Sequence, residues 1–431
     1  MSDRRPSDGE QHDDGFARDR PVPVEDEPVV DPAGRWRALA VLGTAMVLSM
    51  ATWFSASAVL PQLRNEWGLS TTTGSWLTIA VQLGFVVGAL GSALFNLADR
   101  VPPRRLILYG SIGAAVANVC LLWVTDGGSA IMLRLATGAS LAAVYPPALK
   151  AMSTWFRASR GTALGVMVGA LTLGSALPHL VNGLGGADWR AVIVTTSTMT
   201  VAGGLLAGFV FREGPFGFPP AVFDPRQARR LAADRGVRLA SIGYFGHMWE
   251  LYAMWAWFAA FSAEALERTG STDSVTTASV LTFAVIGVGA IGCYVGGILG
   301  DRWGRTRLTA SAMTISGLCA LTIGAFRDGP LGWLVAIGLI WGFTVVADSA
   351  QFSTIVTEVA DQAYVGTAVT LQLAVGFTLT VATIWLVPVV RDGPGWAWAF
   401  VILVPGPVIG TLAMLRLKNL PEAALIAGGR G

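Results

Sequence analysis

Charge is what this chain has least of. Lys, Arg, Asp and Glu make up 13% of its 431 residues, about half the share found in soluble globular proteins. Apolar residues reach 53%, so there is too little polar surface to coat a water-soluble body, and lipid must cover part of it. Cysteine is nearly absent. Cys120, Cys293 and Cys319 lie far apart in apolar runs, which excludes a disulfide framework or a CxxC metal site and reads as small buried residues. Of the three histidines, one lies in the N-terminal segment, while His179 and His247 fall in different halves. That leaves no HExxH and no clustered nucleophile and base. There is no GxxxxGK[ST] loop to cradle a nucleotide. An enzyme, a metal, a cofactor and a nucleic-acid partner are therefore not expected, and work done by this chain must draw on a gradient.

What is present is apolar length. A bilayer core about 30 Å thick needs about 20 apolar residues per helix. Such stretches recur near 37–60, 74–97, 106–125, 129–155, 161–184 and 191–211, then near 238–263, 275–299, 308–326, 331–357, 365–390 and 396–416. The segments of about ten alternating residues that build a membrane barrel do not occur. The expectation is an all-α membrane protein with twelve transmembrane helices.

The remaining segments divide the chain. Residues 1–35 are rich in acids, carry five arginines and show no apolar periodicity, which predicts a disordered tail. A proline- and arginine-rich break at 213–236 separates a six-helix bundle at 36–212 from another at 237–418, and 419–431 forms a second tail. With the N-terminus inside, 23 of the 30 basic residues fall on the cytoplasmic side, and only Arg64, Arg190, Arg268, Arg327 and Arg391 fall outside. This bias predicts a multi-pass protein of the cytoplasmic (cell inner) membrane with both termini cytoplasmic.

The halves repeat each other. LADRVPPRRL (97–106) follows span 2 and LGDRWGRTRL (299–308) follows span 8. Gly161-Thr162-Ala163 opens span 5 as Gly366-Thr367-Ala368 opens span 11, and Trp189 precedes span 6 as Trp396 precedes span 12. The offsets of 202, 205 and 207 residues are nearly constant, as parallel repeats about an axis along the membrane normal require.

On these residues the chain resembles the major facilitator superfamily of secondary transporters, over about residues 37–418. The family's signature loop G-x-L-x-D-R-x-G-R stands here as Gly297-Ile298-Leu299-Gly300-Asp301-Arg302-Trp303-Gly304-Arg305. Its first copy has Phe95 and Pro102 in place of glycines but keeps Asp99, Arg100, Arg104 and Arg105. The R-x-x-x-G motif of span 4 appears as Arg134-Leu135-Ala136-Thr137-Gly138. The resemblance implies two pseudo-symmetric six-helix bundles, alternating access and a monomer. An aspartate at such a loop binds arginines or a neighbouring helix N-terminus in one conformation only, which makes Asp99, Arg100, Arg104, Gly297, Asp301, Arg302, Gly304 and Arg305 the expected gates.

An ionisable residue at mid-bilayer costs about 2.5–3.5 kcal/mol on insertion scales and so marks a candidate site. Span 7 carries Tyr244, His247 and Glu250, the last two sharing a helical face. Span 10 has Asp348, with Thr344 and Gln351 three or four residues away. Span 4 has Arg134 and Lys150, with Pro146-Pro147 expected to break the helix between them. Gln82, Gln372 and Trp53 complete the candidates for substrate or proton binding, with His179 and Asn182 behind them.

These residues predict a secondary active transporter moving a small solute with protons. Two intramembrane acids favour proton coupling, and the cations favour a small organic or inorganic anion taken by symport. The overall pattern resembles the nitrate/nitrite and cyanate-type branch, although the arginines that such porters place within spans 2 and 8 are absent here. An efflux antiporter for a drug-like or uncharged solute is the alternative, despite the missing Gly-Pro pair in span 5. A transporter-like sensor is the alternative of another class.

Overall fold

Runs of twenty apolar residues leave the backbone one way to satisfy its polar groups in lipid without a partner strand, which is the helix. The computed structural model describes residues 31–157, 159–184, 188–217, 224–270, 273–361 and 364–431, and no strand occurs among them. Most of the acidic tail and part of the linker lie outside those residues. The end of the tail is anchored: Asp31 accepts the backbone N–H of Arg157 at 2.7 Å and that of Ser159 at 3.2 Å.

The first helix, α1 (Arg35–Ser49), is interrupted. A 3₁₀ turn at Met50–Thr52 and short helices at Ser55–Ala58 and Leu60–Trp67 carry the chain onward. Then come α2 (Thr71–Leu94), α3 (Pro103–Trp123), α4 (Gly127–Ser153), α5 (Arg160–Leu184) and α6 (Trp189–Val210). The second half opens with α7 (Arg235–Arg268), an unbroken helix of 34 residues. It continues through α8 (Ser274–Trp303), α9 (Arg305–Phe326), α10 (Leu331–Val359), α11 (Val365–Asp392) and α12 (Trp396–Lys418). Ten of these twelve are long and apolar enough to cross a membrane. The other two are α1, cut short by its break, and α7, whose apolar character is diluted by glycines, His247 and Glu250.

The packing repeats with the sequence. α2 lies on α4 as α8 lies on α10, and α3 on α6 as α9 on α12. The halves meet where α5 crosses α8 and α11 crosses α2, contacts that exchange when the halves are swapped. Close approach depends on small residues. A Cβ on Gly138 would run into the Val81 carbonyl of α2, and one on Gly342 into the Val285 carbonyl of α8.

Two more helices are broken at matching depth. In α4 the break falls at 142–144, after which Pro146 and Pro147 sit in the first turn of a new helix, where their missing N–H leaves no gap. In α10 it falls at Asp348, between Leu331–Ala347 and Ser349–Val359.

Candidate functional site: the cavity between the halves

The broken helices and the long α7 converge on a small cavity. It is lined by Tyr145 of α4, Val168 and Leu171 of α5, and Tyr244, Met248, Leu251, Tyr252 and Trp255 of α7, with Val346 and Ser349 of α10 and Phe377 of α11 completing the wall. Its free volume of about 20 Å³ is room for roughly one water. No charged side chain is part of this lining. Trp53 stacks on Tyr252 at 5.8 Å and meets Phe85 at 5.1 Å, while Phe377 meets Phe85 at 4.5 Å, so the rings form one cluster across the seam.

The expected intramembrane charges lie behind this wall. Arg134 is fully buried inside the first half. Its guanidinium donates to the carbonyls of Thr52 (3.0 Å) and Trp53, to Asn118 Oδ1 (3.0 Å) and to Ser55 Oγ (3.2 Å). Those two carbonyls sit at the break of α1, so the cation replaces the helical donors that the break removes. Gly138, the other end of the same motif, seats α4 on α2. Both residues serve the architecture of the bundle, and Arg134 does not reach the cavity.

Glu250 is buried between helices of the second half. Its Oε1 accepts Trp341 Nε1–H at 2.7 Å and its Oε2 accepts the Ser316 hydroxyl at 2.8 Å. An indole only donates, whereas a hydroxyl can also accept. Ser316 Oγ also lies 3.2 Å from the Met313 carbonyl, so a proton on Oε2 would reverse one hydrogen bond and lose none.

His247 does not share Glu250's environment, although three residues separate them on one helix. Its Nδ1 lies 2.9 Å from Asp348 Oδ1, and both side chains are 1% exposed. The pair lies close to the cavity lining: the His247 ring is 6.1 Å from that of Tyr244, and Asp348 precedes Ser349 in the chain. The His247 partner is thus Asp348 of α10 rather than Glu250. Gln351 also departs from expectation: it turns to the signature loop, accepting Arg305 Nη1–H at 2.7 Å.

Of the weaker candidates, Tyr244 lines the cavity. Trp53 sits in its ring cluster with the indole N–H unpartnered, and Gln82 is buried with neither amide atom hydrogen-bonded. Gln372 accepts from Ser353 Oγ at 3.3 Å. Asn182 bridges α5 to Ser279 of α8 at 2.9 Å. Tyr145, Tyr252 and Phe377 were not singled out from the sequence. The signal for Tyr252 was the spacing of Tyr244, Met248, Tyr252 and Trp255 along one face of α7.

The signature loop is tied to both halves on the arginine-rich face. The Asp301 carboxylate lies over Gly161 at the start of α5, where a Cβ would collide with it. Asp301 pairs with Arg305 at 3.0 Å, and Arg305 pairs with Glu358 of α10 at 3.0 Å. Gly297 packs against the Gly161 carbonyl, and Gly304 turns the chain at φ +97°. Arg302 is exposed. The expected tail 419–431 folds back here. Ile426 is buried, Ala427 N–H donates to Glu358 at 3.1 Å, and Arg430 donates to the Asp301 carbonyl at 2.6 Å. The first copy is looser, with Arg100 exposed and Arg104 at 3.8 Å from Glu213. The Asp99 side chain lies outside the described residues.

On the opposite face the halves carry matching latches. Trp189 Nε1–H donates to Glu66 at 2.6 Å, and Trp396 Nε1–H donates to Glu264 at 2.7 Å.

Among the described residues, helices in two repeats with a cavity between them are the architecture of a polytopic membrane protein. The family model of the Major Facilitator Superfamily matches residues 42–376, and the chain belongs to that family. It is 30% identical over 174 residues to the puromycin resistance protein pur8 of Streptomyces alboniger, covering 39% of this chain and 34% of that protein. It is 33% identical over 140 residues to the 3-(3-hydroxy-phenyl)propionate transporter of Escherichia coli (strain K12), covering 32% of this chain and 33% of that one. The chain thus spans about a third of the length of these curated relatives. A bacterial homolog of the human lysosomal transporter Spinster, in an inward-facing and occupied conformation, shares the fold at TM-score 0.66 and 16% identity, over 90% of this chain and 98% of that one.

Proposed function

We propose that this transporter uses protons to move a small uncharged or drug-like solute, with its arginine-rich face in the cytoplasm. The observation that carries the reading is the cavity wall: aromatic and aliphatic side chains, with the His247–Asp348 pair one layer behind. A wall of that kind favours an apolar solute, and an ionisable pair at its back can change protonation as the cavity opens to either side. Arg134, the cation on which the anion expectation leaned, is already satisfied by carbonyls, so nitrate-type or small carboxylate substrates gain no support from it. Pur8, named for resistance to a drug, is consistent with efflux.

An aromatic acid is the second reading, favoured by the similarity to the 3-(3-hydroxy-phenyl)propionate transporter.

The test uses proteoliposomes with a trapped pH dye, adding puromycin and 3-(3-hydroxyphenyl)propionate separately. Wild type is expected to move protons on puromycin addition. Asp348→Asn is expected to lose that signal while still exchanging labelled puromycin, and Glu250→Gln to keep it. Loss in Glu250→Gln with retention in Asp348→Asn would move the proton to Glu250. A response to the acid alone would establish the second reading.

A further inference from the structure

Four tryptophans of this protein are fully buried: Trp53, Trp255, Trp341 and Trp396. Trp341 and Trp396 donate their indole N–H to Glu250 and Glu264. Trp53 and Trp255 donate to nothing among the described residues. A buried donor without a partner is unfavourable and rare, so it calls for an explanation. A third unpartnered indole nitrogen, that of the half-buried Trp67, lies away from the cavity on Trp189. Trp53 and Trp255 are at the cavity: Trp255 lines it, and Trp53 stacks on the lining residue Tyr252, whose ring lies 5.4 Å from that of Trp255. The amide of Gln82 is unpartnered too. Gln82 lies one helical turn from Phe85, which packs on both Trp53 and Phe377.

An indole nitrogen donates and never accepts. Whatever satisfies Trp53 and Trp255 must therefore bring acceptor atoms, and the rings around them call for a flat, apolar body. Deepening the transport reading on which it rests, we infer that the solute is a neutral aromatic compound bearing at least two carbonyl or ether oxygens. Trp53 and Trp255 determine its specificity by donating to those oxygens. Its place is now filled by the rings themselves, since the cavity holds about 20 Å³. The breaks in α1 at Met50–Thr52 and in α4 at 142–144 lie beside Trp53 and Tyr145, and they supply hinges where modest backbone rotation parts the stack.

The experiment measures binding to the purified full chain in detergent by equilibrium dialysis. The probes are coumarin, a planar bicycle with two acceptor oxygens and no donor, and naphthalene, a bicycle of similar size with neither. Wild type is expected to prefer coumarin at least tenfold. Trp53→Phe and Trp255→Phe keep a ring and remove the donor, and each is expected to weaken coumarin about fivefold, the worth of one neutral hydrogen bond, with naphthalene unchanged. Equal binding of the two probes to wild type overturns the inference and needs no variant, so a misfolded mutant cannot rescue it. Discrimination that survives both substitutions overturns the assignment to these indoles. If coumarin is preferred but no solute moves protons in the liposome assay, proton coupling fails and the inference stands. Proton-coupled puromycin movement without discrimination between the probes has the opposite meaning.

Discussion

The two halves share one backbone plan and, away from the signature loop with its buried Arg305, bury opposite charges. The first holds a cation, Arg134, among carbonyls and amides. The second holds two acids and a histidine. The offset that carries Gly138 onto Gly342, equivalent glycines that seat α4 on α2 and α10 on α8, carries Arg134 onto Gly338. There the Phe258 ring of α7 closes over the backbone, 2.9 Å from where a Cβ would stand. The reason is in the facing helix. α1 breaks at Met50–Thr52 and exposes carbonyls that need donors, whereas α7 runs unbroken and exposes none. In the first half, then, the buried charge follows a break in the backbone, so an intramembrane ion is not by itself a mark of the transported solute. In the second half the acid sits at a break as well, that of α10, but faces a histidine beside the cavity.

The largest expected effect tests this division. Arg134→Ala leaves the Trp53 carbonyl without this donor, and leaves the single Ser55 hydroxyl proton to serve both the Thr52 carbonyl and Asn118 Oδ1, so two buried acceptors go unsatisfied. At about 1–3 kcal/mol for each buried group left unsatisfied, the loss is on the order of 4 kcal/mol, read as a collapse of the thermal unfolding midpoint in detergent. Arg134→Lys is expected to recover little, because one ammonium cannot span the fork of acceptors. Glu250→Gln is expected to lose about 1 kcal/mol, since its amide oxygen still accepts from one donor. A stable Arg134→Ala protein that has lost transport would break the comparison, making the cation a functional group after all.

A smaller effect probes what the halves have in common. Gly138→Ala and Gly342→Ala each drive a methyl into a facing carbonyl, and overpacking of this kind costs about 1–3 kcal/mol. Matched drops in unfolding midpoint are expected. A drop in one half alone would show that the seams have diverged as far as the charges have.

Much of this was legible in the sequence. The all-helical membrane fold and its internal repeat followed from apolar length and constant offsets, with ten of the twelve expected spans long and apolar enough to cross a membrane. The break before Pro146 followed from the proline ring. The partners of the buried ions did not follow, for a geometric reason. Spacing places His247 and Glu250 on one face of α7, but small differences in direction send one to Asp348 and the other to Ser316 and Trp341. Gln351 likewise lies three residues from Asp348 and bonds Arg305 of the signature loop instead. Helix rotation within a bundle is fixed by packing against neighbours, which one sequence does not display. The docking of 419–431 was not foreseen for a similar reason, since Ala423 and Ile426 are buried on a surface that exists only once α10 and α12 are in place.

The smallest effect concerns the latches on the arginine-poor face. Trp189 and Trp396, first noticed as repeat landmarks, each donate to a glutamate at the far end of α1's continuation or of α7. Hydrogen bonds from Arg190 and then Trp189 hold the Glu66 carboxyl below its ordinary range. A carboxylate with a depressed folded-state pKa contributes stability above the unfolded value of about 4.3 and loses it as the pH falls through the folded value. The contribution is therefore complete at pH 7. Trp189→Phe is expected to lower the unfolding midpoint slightly at pH 7, and the deficit is expected to shrink as the pH falls through the depressed folded value of Glu66, where wild type itself loses the latch. Glu66 and its second partner Arg190 are exposed, so added salt should weaken their attraction as well. A Trp189→Phe deficit that persists undiminished in acid would mean that the indole acts through its packing on Trp67 and not through the carboxylate.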